Sequence, residues 1–534
     1  MPAPALKRDA GRIGLLFASL GGMIGSGWLF GALNAAKIAG PASLIAWVIG
    51  GGAVLLLAFV FAELSTMFPQ PGAVIVFPYL CFGRLSAQVM TWINFLAYIS
   101  VPPVEAVSVI NYSNNFFSGL VDPASGMLTM KGFAAAAALM VLFLWINLLA
   151  IRLVLKINNA ITWWKLLVPA GTVVVLMFVH FRVRNFTQFG FAPTGMNGVL
   201  AAVSGSGVLF AYLGFRQAIE LAGETSNPSR SLPFAIVGSV LLCILLYCGL
   251  ELAFIGALTP ASLANGWAKL NFPGISGPFA GLASGLGLTW LAITLYADAA
   301  ISPGGTGVIY NTTAARVIYA TAGSGFMPRL FTQISSNGVP VTSLALSFFA
   351  GLLFLLPLPS WQMLVTYISS ISVIAYGIGP VVLLAFRQTL PEAQYKRPFR
   401  LRLAMVFAPM AFIVANLVVF WAGAGVANHL LGGLLLMFMF YCGQQFAVQR
   451  TLRHLEWRGA WWMAPYFGGL WLITYLGPTH GTGTFSNLSG TVVISVFSLG
   501  IIALAMRCAL PDPQAAKANY MRTDALKFLT VPKA

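Results

Sequence analysis

Apolar runs of roughly 20 residues recur along almost the whole chain, each long enough to cross a hydrocarbon layer of about 30 Å as a helix. In lipid every backbone polar group must be satisfied internally, so only helices and closed barrels can span. Strand-like alternation over about ten residues is absent, which excludes the barrel. With 59% hydrophobic residues, 8% charged residues and a mean hydropathy of +0.86, the 534-residue chain reads as an all-α multi-pass membrane protein with no soluble domain.

The apolar runs lie near 13–37, 41–67, 86–118, 132–150, 157–179, 197–222, 233–258, 282–320, 341–356, 362–386, 403–424, 429–448, 461–477 and 490–507, which predicts fourteen spans. Basic residues cluster between alternate runs. Lys7, Arg8 and Arg12 precede the first, Arg84 follows the second, Arg152 and Lys156 the fourth, and Arg230 the sixth. Arg316 and Arg329, Arg387 to Arg402, Arg450 to Arg458 and Arg507 to Lys533 continue the alternation. The positive-inside rule then puts both termini, 1–12 and 508–534, in the cytoplasm of a cell-membrane protein. One cluster, Arg182 and Arg184, falls in a loop expected outside. The net charge of +17 is thus a topology signal and not a nucleic-acid footprint. A long first span directly after the basic N-terminus, with no small-residue cleavage site, is expected to act as its own insertion signal.

Cys81, Cys243, Cys248, Cys442 and Cys508 are scattered and read as small core residues. His180, His429, His454 and His480 are isolated, so neither a metal site nor a cofactor is expected.

The first span carries "GGMIGSGWLFG" from Gly21 to Gly31. Glycine inside a helix costs roughly 1 kcal/mol relative to alanine, so this density predicts an unwound segment. The alternative, glycines that merely allow close helix packing, fits less well because they lie all round the helix. The sixth span is interrupted likewise by "SGSGVLFAYLGF", Ser204 to Phe215. Glycine-interrupted spans at matching positions of two five-span sets, 13–180 and 195–386, predict an inverted repeat with a binding site near the midplane. The spans of 403–507 are additional.

A half-helix starting near Ser26 and Gly27 presents free N–H groups and partial positive charge, suited to a carboxylate. Opposite it, carbonyls of Phe210, Ala211 and Tyr212 freed by the second break would accept from an ammonium group. Met23, Ile24, Gly25, Ser26, Gly27, Phe210, Ala211, Tyr212, Gly214, Arg216 and Asp298 are the candidate substrate-binding residues. Ionisable residues within spans mark function by default. Lys165, in "TWWKLLVP", either loses and regains a proton in each cycle or stands in a permanent ion pair. Glu105 is a second proton carrier or its partner. Arg216 needs an anion, either Glu220 one turn on or a substrate side-chain carboxylate. Pro303 and its neighbouring glycines are expected to break a helix beside Asp298, Ser302 and Thr306, and Glu63 is expected to serve structure or gating. Glu251 completes the set.

The stretches "GGMIGSGWLFGALNAAKIAGP", "FAELSTMFPQPG", "FAYLGFRQAIELAGETSNPSRSLP" and "GFMPRLF" resemble the amino acid, polyamine and organocation transporter superfamily over the first ten spans. The resemblance implies a LeuT-like five-plus-five inverted-repeat core and secondary active amino acid transport. It also implies carboxylate binding at Gly25, Ser26 and Gly27, aromatic gating near Phe210, and Lys165 in the position sodium occupies elsewhere. Arg216, where arginine exchangers carry glutamate, argues against cationic substrates and is similar to the aspartate and glutamate branch.

The leading expectation is a proton-coupled symporter of an amino acid, acidic on this resemblance, in a bilayer, as a monomer or homodimer. An amino acid or amine exchanger uses the same site. A channel or an intramembrane enzyme fits less well, since no span pairs serine with histidine or two aspartates.

Overall fold

The computed structural model describes residues 10–511 except 70–71, 150, 271, 273–276, 336–337, 358, 393–394 and 453–454, together with 513–514 and 518. Lys7, Arg8, His454 and nearly all of the 508–534 tail lie outside the described residues, as do the side chains of Arg152 and Lys156.

The described residues form helices joined by turns and loops. Among the described residues the only β pairing is two isolated bridges, Ala10 with Thr225 and Val121 with Leu128. The first apolar run forms α1 (Arg12–Met23) and α2 (Gly27–Ala39), separated by three non-helical residues, and α3 (Ser43–Met67) returns. The third run is bent, with α4 (Ala73–Ile99) kinked at Gly83, whose φ of +79° suits a residue without Cβ, and α5 (Val101–Ser113) beginning at a Pro-Pro pair. The next helices are α6 (Met130–Leu148) and α7 (Ile151–Val179).

The sixth run is α8 (Gly195–Gly205), α9 (Val208–Ala211) and α10 (Gln217–Glu220), with 3-10 turns between and after the last two. Its halves are bent by 46° at Ser206–Gly207, where Gly207 has φ +91°. There follow α11 (Pro228–Ala257), α12 (Pro260–Leu263), α13 (Pro278–Gly285), α14 (Thr289–Gly323), α15 (Val341–Leu353) and α16 (Trp361–Thr389). The chain continues through α17 (Ala404–Ala422), α18 (Ala424–Gln449), α19 (Trp457–Ala460), α20 (Met463–Tyr475) and α21 (Asn487–Cys508).

Nine helical stretches among the described residues are long and apolar enough to cross a membrane, ten when the bent pair counts as one. The remaining expected spans fall on helices that are short (α1, α15, α20) or polar (α14) and do not qualify alone. Helix α14 also corrects an expectation. It runs unbroken for 35 residues through Pro303. A proline in a packed membrane helix is tolerated when neighbours re-satisfy the freed backbone, and the glycines after it serve close approach. A Cβ at Gly305 would lie 2.8 Å from Ile161 Cγ2, and one at Gly307 2.5 Å from Phe143.

Two groups of helices frame the centre. Helix α11 packs on α3, α1 and α7, with the sixth-run turns against α1, while α14 packs on α5, α4, α6 and α15. Helix α16 joins them through α3, α4 and α17, and is buried along its apolar length.

Candidate functional site

The first break is narrower than the glycine count predicts. Gly21 and Gly22 stay helical in α1, Gly27 and Gly31 in α2, and only Ile24, Gly25 and Ser26 lie between the two helices. The helical glycines answer to packing after all. A Cβ on Gly27 would stand 2.8 Å from Ala211 Cβ, one on Gly31 3.0 Å from Trp47, and one on Gly22 2.7 Å from Gln217. Gly214 lies where the two broken runs cross. A Cβ there would meet the backbone of Gly22 and Met23 at 2.2 and 2.3 Å, so the crossing admits no side chain.

The break faces a carboxylate belonging to the protein itself. Ser26 N–H donates to Glu105 Oε2 at 2.9 Å, and Oε1 has no partner. A Cβ on Gly25 would lie 2.5 Å from Oε1, so the missing side chain is what lets Glu105 close on the amide. Trp361 Nε1 donates to Ser26 Oγ at 2.9 Å, and its ring stands edge-on to Phe210 and tilted against Phe30.

Lys165 reaches the same break from below. Its Nζ donates to the Gly21 carbonyl at 2.7 Å and to Thr306 Oγ1 at 2.6 Å. It forms no ion pair with an acid among the described residues, which corrects the permanent-pair alternative. Gly21 C=O is near the C-terminal end of α1, where carbonyls lack helical donors and carry partial negative charge, so an ammonium is well placed there. Thr306 Oγ1 also lies within reach of the Gly21, Ile24 and Ser302 carbonyls, at 3.1, 3.4 and 3.2 Å.

At the second break the expected free carbonyls are partly taken. Tyr247 OH lies 3.0 Å from Met23 O and 3.3 Å from Ala211 O, bridging both interruptions, and Phe210 O still accepts from Tyr212 N–H. Tyr212 points its ring away, into Trp47 and Tyr247, with its hydroxyl on Trp47 O.

Arg216 joins neither expected arrangement. Only 1% exposed, it donates from Nη2 to Ala97 O at 3.0 Å, while Nε and Nη1 have no hydrogen-bond partner among the described residues. Its guanidinium lies 3.5 Å above the Tyr98 ring and about equally far from Tyr310 and Tyr376, at 5.6 and 5.5 Å. Glu220 is bonded by Tyr98 OH and does not pair directly with Arg216, so the Glu220 partnership is corrected as well. Three aromatic faces stabilise the buried cation, leaving two donors unused.

Asp298, fully buried, accepts from Ser302 and makes no hydrogen bond to either break. Glu251 is held by Ser43 Oγ and Trp47 Nε1. Glu63 is held by Arg387 at 3.1 and 2.7 Å and accepts from Leu401 N–H at 2.8 Å. Arg182 and Arg184 are exposed beside a short 3-10 turn, and nothing in the structure explains them. Sequence reasoning missed Tyr247 and Trp361. Each is a lone aromatic without periodicity, placed at the breaks only by long-range topology.

The profile of a family described as amino acid permease matches residues 11–452. The chain is 38% identical over 531 residues to the glutamate/serine transporter AimA of Bacillus subtilis, covering 98% of this chain and 96% of that one. It is 34% identical over 501 residues to an aspartate-proton symporter of the same organism, covering 93% and 96%. A branched-chain amino acid permease of that bacterium, BcaP, is 26% identical over 341 residues, covering 62% and 70%.

Proposed function

This chain belongs to the amino acid permease family, and we propose that it is a secondary active transporter that brings an acidic amino acid across the cell membrane together with a proton. The observation that carries the proposal is the Glu105 carboxylate resting on Ser26 N–H at the break of the first span. A site that holds one carboxylate on its amides holds another. The substrate α-carboxylate takes that seat when Glu105 is protonated and withdraws, so proton and substrate load together. Its ammonium group faces the carbonyl side of the breaks, near Ala211 and Met23, where Tyr247 now lies.

Lys165 supplies the second coupling. Charged, it ties the Gly21 carbonyl to Thr306 and so α1 to α14; neutral, it releases that tie. The helices around the breaks, α1 to α3 and α8 to α11, then rock against the remainder, as expected of a LeuT-like pair of inverted repeats over 13–180 and 195–386. Fourteen crossings with both termini cytoplasmic fit the basic clusters. For the substrate class, the named substrates of the two Bacillus subtilis relatives aligned over 531 and 501 residues include glutamate and aspartate. Arg216 fits that class, because its buried guanidinium keeps Nε and Nη1 free to donate to a side-chain carboxylate once the crossing at Gly214 opens.

Uptake into proteoliposomes tests this. Wild-type protein is expected to accumulate labelled aspartate or glutamate under an inward proton gradient, and Lys165→Ala to reach only equilibration. Full gradient-driven uptake by that variant would remove Lys165 from the coupling. Arg216→Ala is expected to lose dicarboxylic substrates by about tenfold or more relative to serine, the order of a lost charge-assisted pair; an equal loss for both would reject the acidic reading.

A further inference from the structure

One face of α14 carries Asp298, Ser302 and Thr306, spaced one helical turn apart so that their side chains stack. All three are at most 1% exposed. Ser302 Oγ donates to Asp298 Oδ1 at 2.6 Å, and Thr306 Oγ1 receives Lys165 Nζ at 2.6 Å. Trp164 lies beside the carboxyl, and Asp298 Oδ2 and Trp164 Nε1 are both buried without a hydrogen-bond partner among the described residues. Among the described residues no basic side chain pairs directly with Asp298, and the cation whose field it meets is Lys165 on α7. An unpaired carboxylate buried at membrane depth is too costly to persist through a whole cycle, so a group in this position is expected to bind a proton for part of it.

The far end of this polar face approaches a route to the surface. A small pocket lies between α5 and α14, lined by Tyr112, Ser113, Phe116, Tyr296 and Ala299 among others. Ala299 is the next residue after Asp298, and Phe116 at the mouth is 67% exposed. The Tyr112 hydroxyl is buried with no partner, and Asp298 lies close enough for its charge to act on it. The end of α5 and the start of α14 belong to the face opposite the N-terminus, since α1 and α2 cross once, α3 returns, and α4 with α5 crosses again.

We infer that Asp298 is a proton relay between that face and Lys165, loaded through the pocket beneath Tyr112. The inference rests on the proton-coupled reading and reassigns Asp298 from substrate contact to proton delivery. In the step, the Asp298 carboxylic acid, beyond ion-pair distance of Lys165 in this arrangement, gives its proton by way of an intervening water to the neutral Lys165 amine, leaving a carboxylate and an ammonium with net charge unchanged. A proton from the solution on that face, arriving as hydronium through the pocket, then reprotonates the carboxylate and leaves water behind. Ser302 holds the carboxyl and Thr306 holds the amine, so both are positioning residues. The groups facing Asp298 are Tyr112 on α5, Trp164 and Lys165 on α7, and Ser302 on its own helix; Glu105 is the other acid acting on Lys165.

The test uses full-length protein in proteoliposomes with an internal pH dye, comparing wild type, Asp298→Asn, Asp298→Glu and Ser302→Ala. Asp298→Asn is expected to lower gradient-driven accumulation and substrate-dependent proton entry by roughly a hundredfold, the lower end of what a positioned proton-transfer group contributes. Substrate-for-substrate exchange at equal pH should fall far less. Asp298→Glu is expected to restore part of the proton movement, and Ser302→Ala to shift the pH profile of uptake without abolishing it. Wild-type accumulation in Asp298→Asn would overturn the relay, as would equal loss of exchange and accumulation, which would mark a substrate or folding role. Wild-type protein that moves substrate without protons would defeat the proton-coupled reading itself, a result read before any variant is made.

Discussion

Glu105 occupies the seat that the first break was expected to keep for a ligand. The Ser26 amide therefore bonds internally to a carboxylate of the protein in the closed arrangement, where Met23, Ile24, Ser26 and Ala211 are at most 3% exposed. A substrate carboxylate must compete with it. Glu105→Gln keeps the shape and removes the charge, forfeiting the roughly 1 kcal/mol that a helix N-terminus gives an anion in a partly favourable geometry. The expected outcome is substrate binding tightened by about fivefold at neutral pH, with its pH dependence flattened. Calorimetric titration with aspartate or glutamate at two pH values measures both. Weaker binding with an unaltered pH dependence would show that Glu105 supports the substrate and does not displace it.

At the scale of elements, the crossing of the two broken runs is set by glycine. Gly214 is held against backbone atoms of Gly22 and Met23 that cannot rotate away, so Gly214→Ala must part α1 from the sixth-run turns. Overpacking of this kind costs about 1 to 3 kcal/mol, and here it also shifts the Ser26 amide and the Gly21 carbonyl. A lower unfolding temperature and lost uptake are expected. Gly205→Ala, with nothing within 4 Å of its Cβ, should change neither. This contrast marks how far the sequence could be read. Glycine clusters announced both interruptions, and Lys165 and Glu105 stood out as charges in apolar runs. Which glycines unwind and which pack was not legible, because Gly27 and Gly31 differ from Gly25 only in what α9 and Trp47 bring against them. Pro303 misled for the same reason, since its helix is kept continuous by neighbours distant in sequence. Arg216 was recognised as needing a partner, yet its tyrosine cage draws on α4, α14 and α16, three elements that no local pattern relates.

For the whole molecule, alternating access requires one face to be closed by contacts that can be undone. On the N-terminal face Ala10 N–H donates to Glu224 O at 2.9 Å, Ser226 N–H to Ala10 O at 3.2 Å, and Arg316 Nη1 meets Glu224 Oε1 at 3.1 Å. The last tie joins the end of the sixth run to α14, and so the group carrying the breaks to the group carrying the polar face. Its side chains are 39% and 30% exposed, a setting in which an ion pair contributes about 0.2 to 1 kcal/mol. That is too little to hold the fold and enough to bias two states of similar energy. Glu224→Gln is therefore expected to raise the population open on this face by up to about fivefold. A cysteine introduced by Gln217→Cys, at a site 3% exposed in the closed arrangement, reports it. With the native cysteines replaced, its labelling by a membrane-impermeant maleimide from the N-terminal face should accelerate by the same factor. Arg316→Gln should give an equal change and the double variant no more than either alone, because the two charges act as one tie. Additive effects would mean that Glu224 and Arg316 act through separate contacts, and the closing of this face would then rest on the backbone pairing at Ala10.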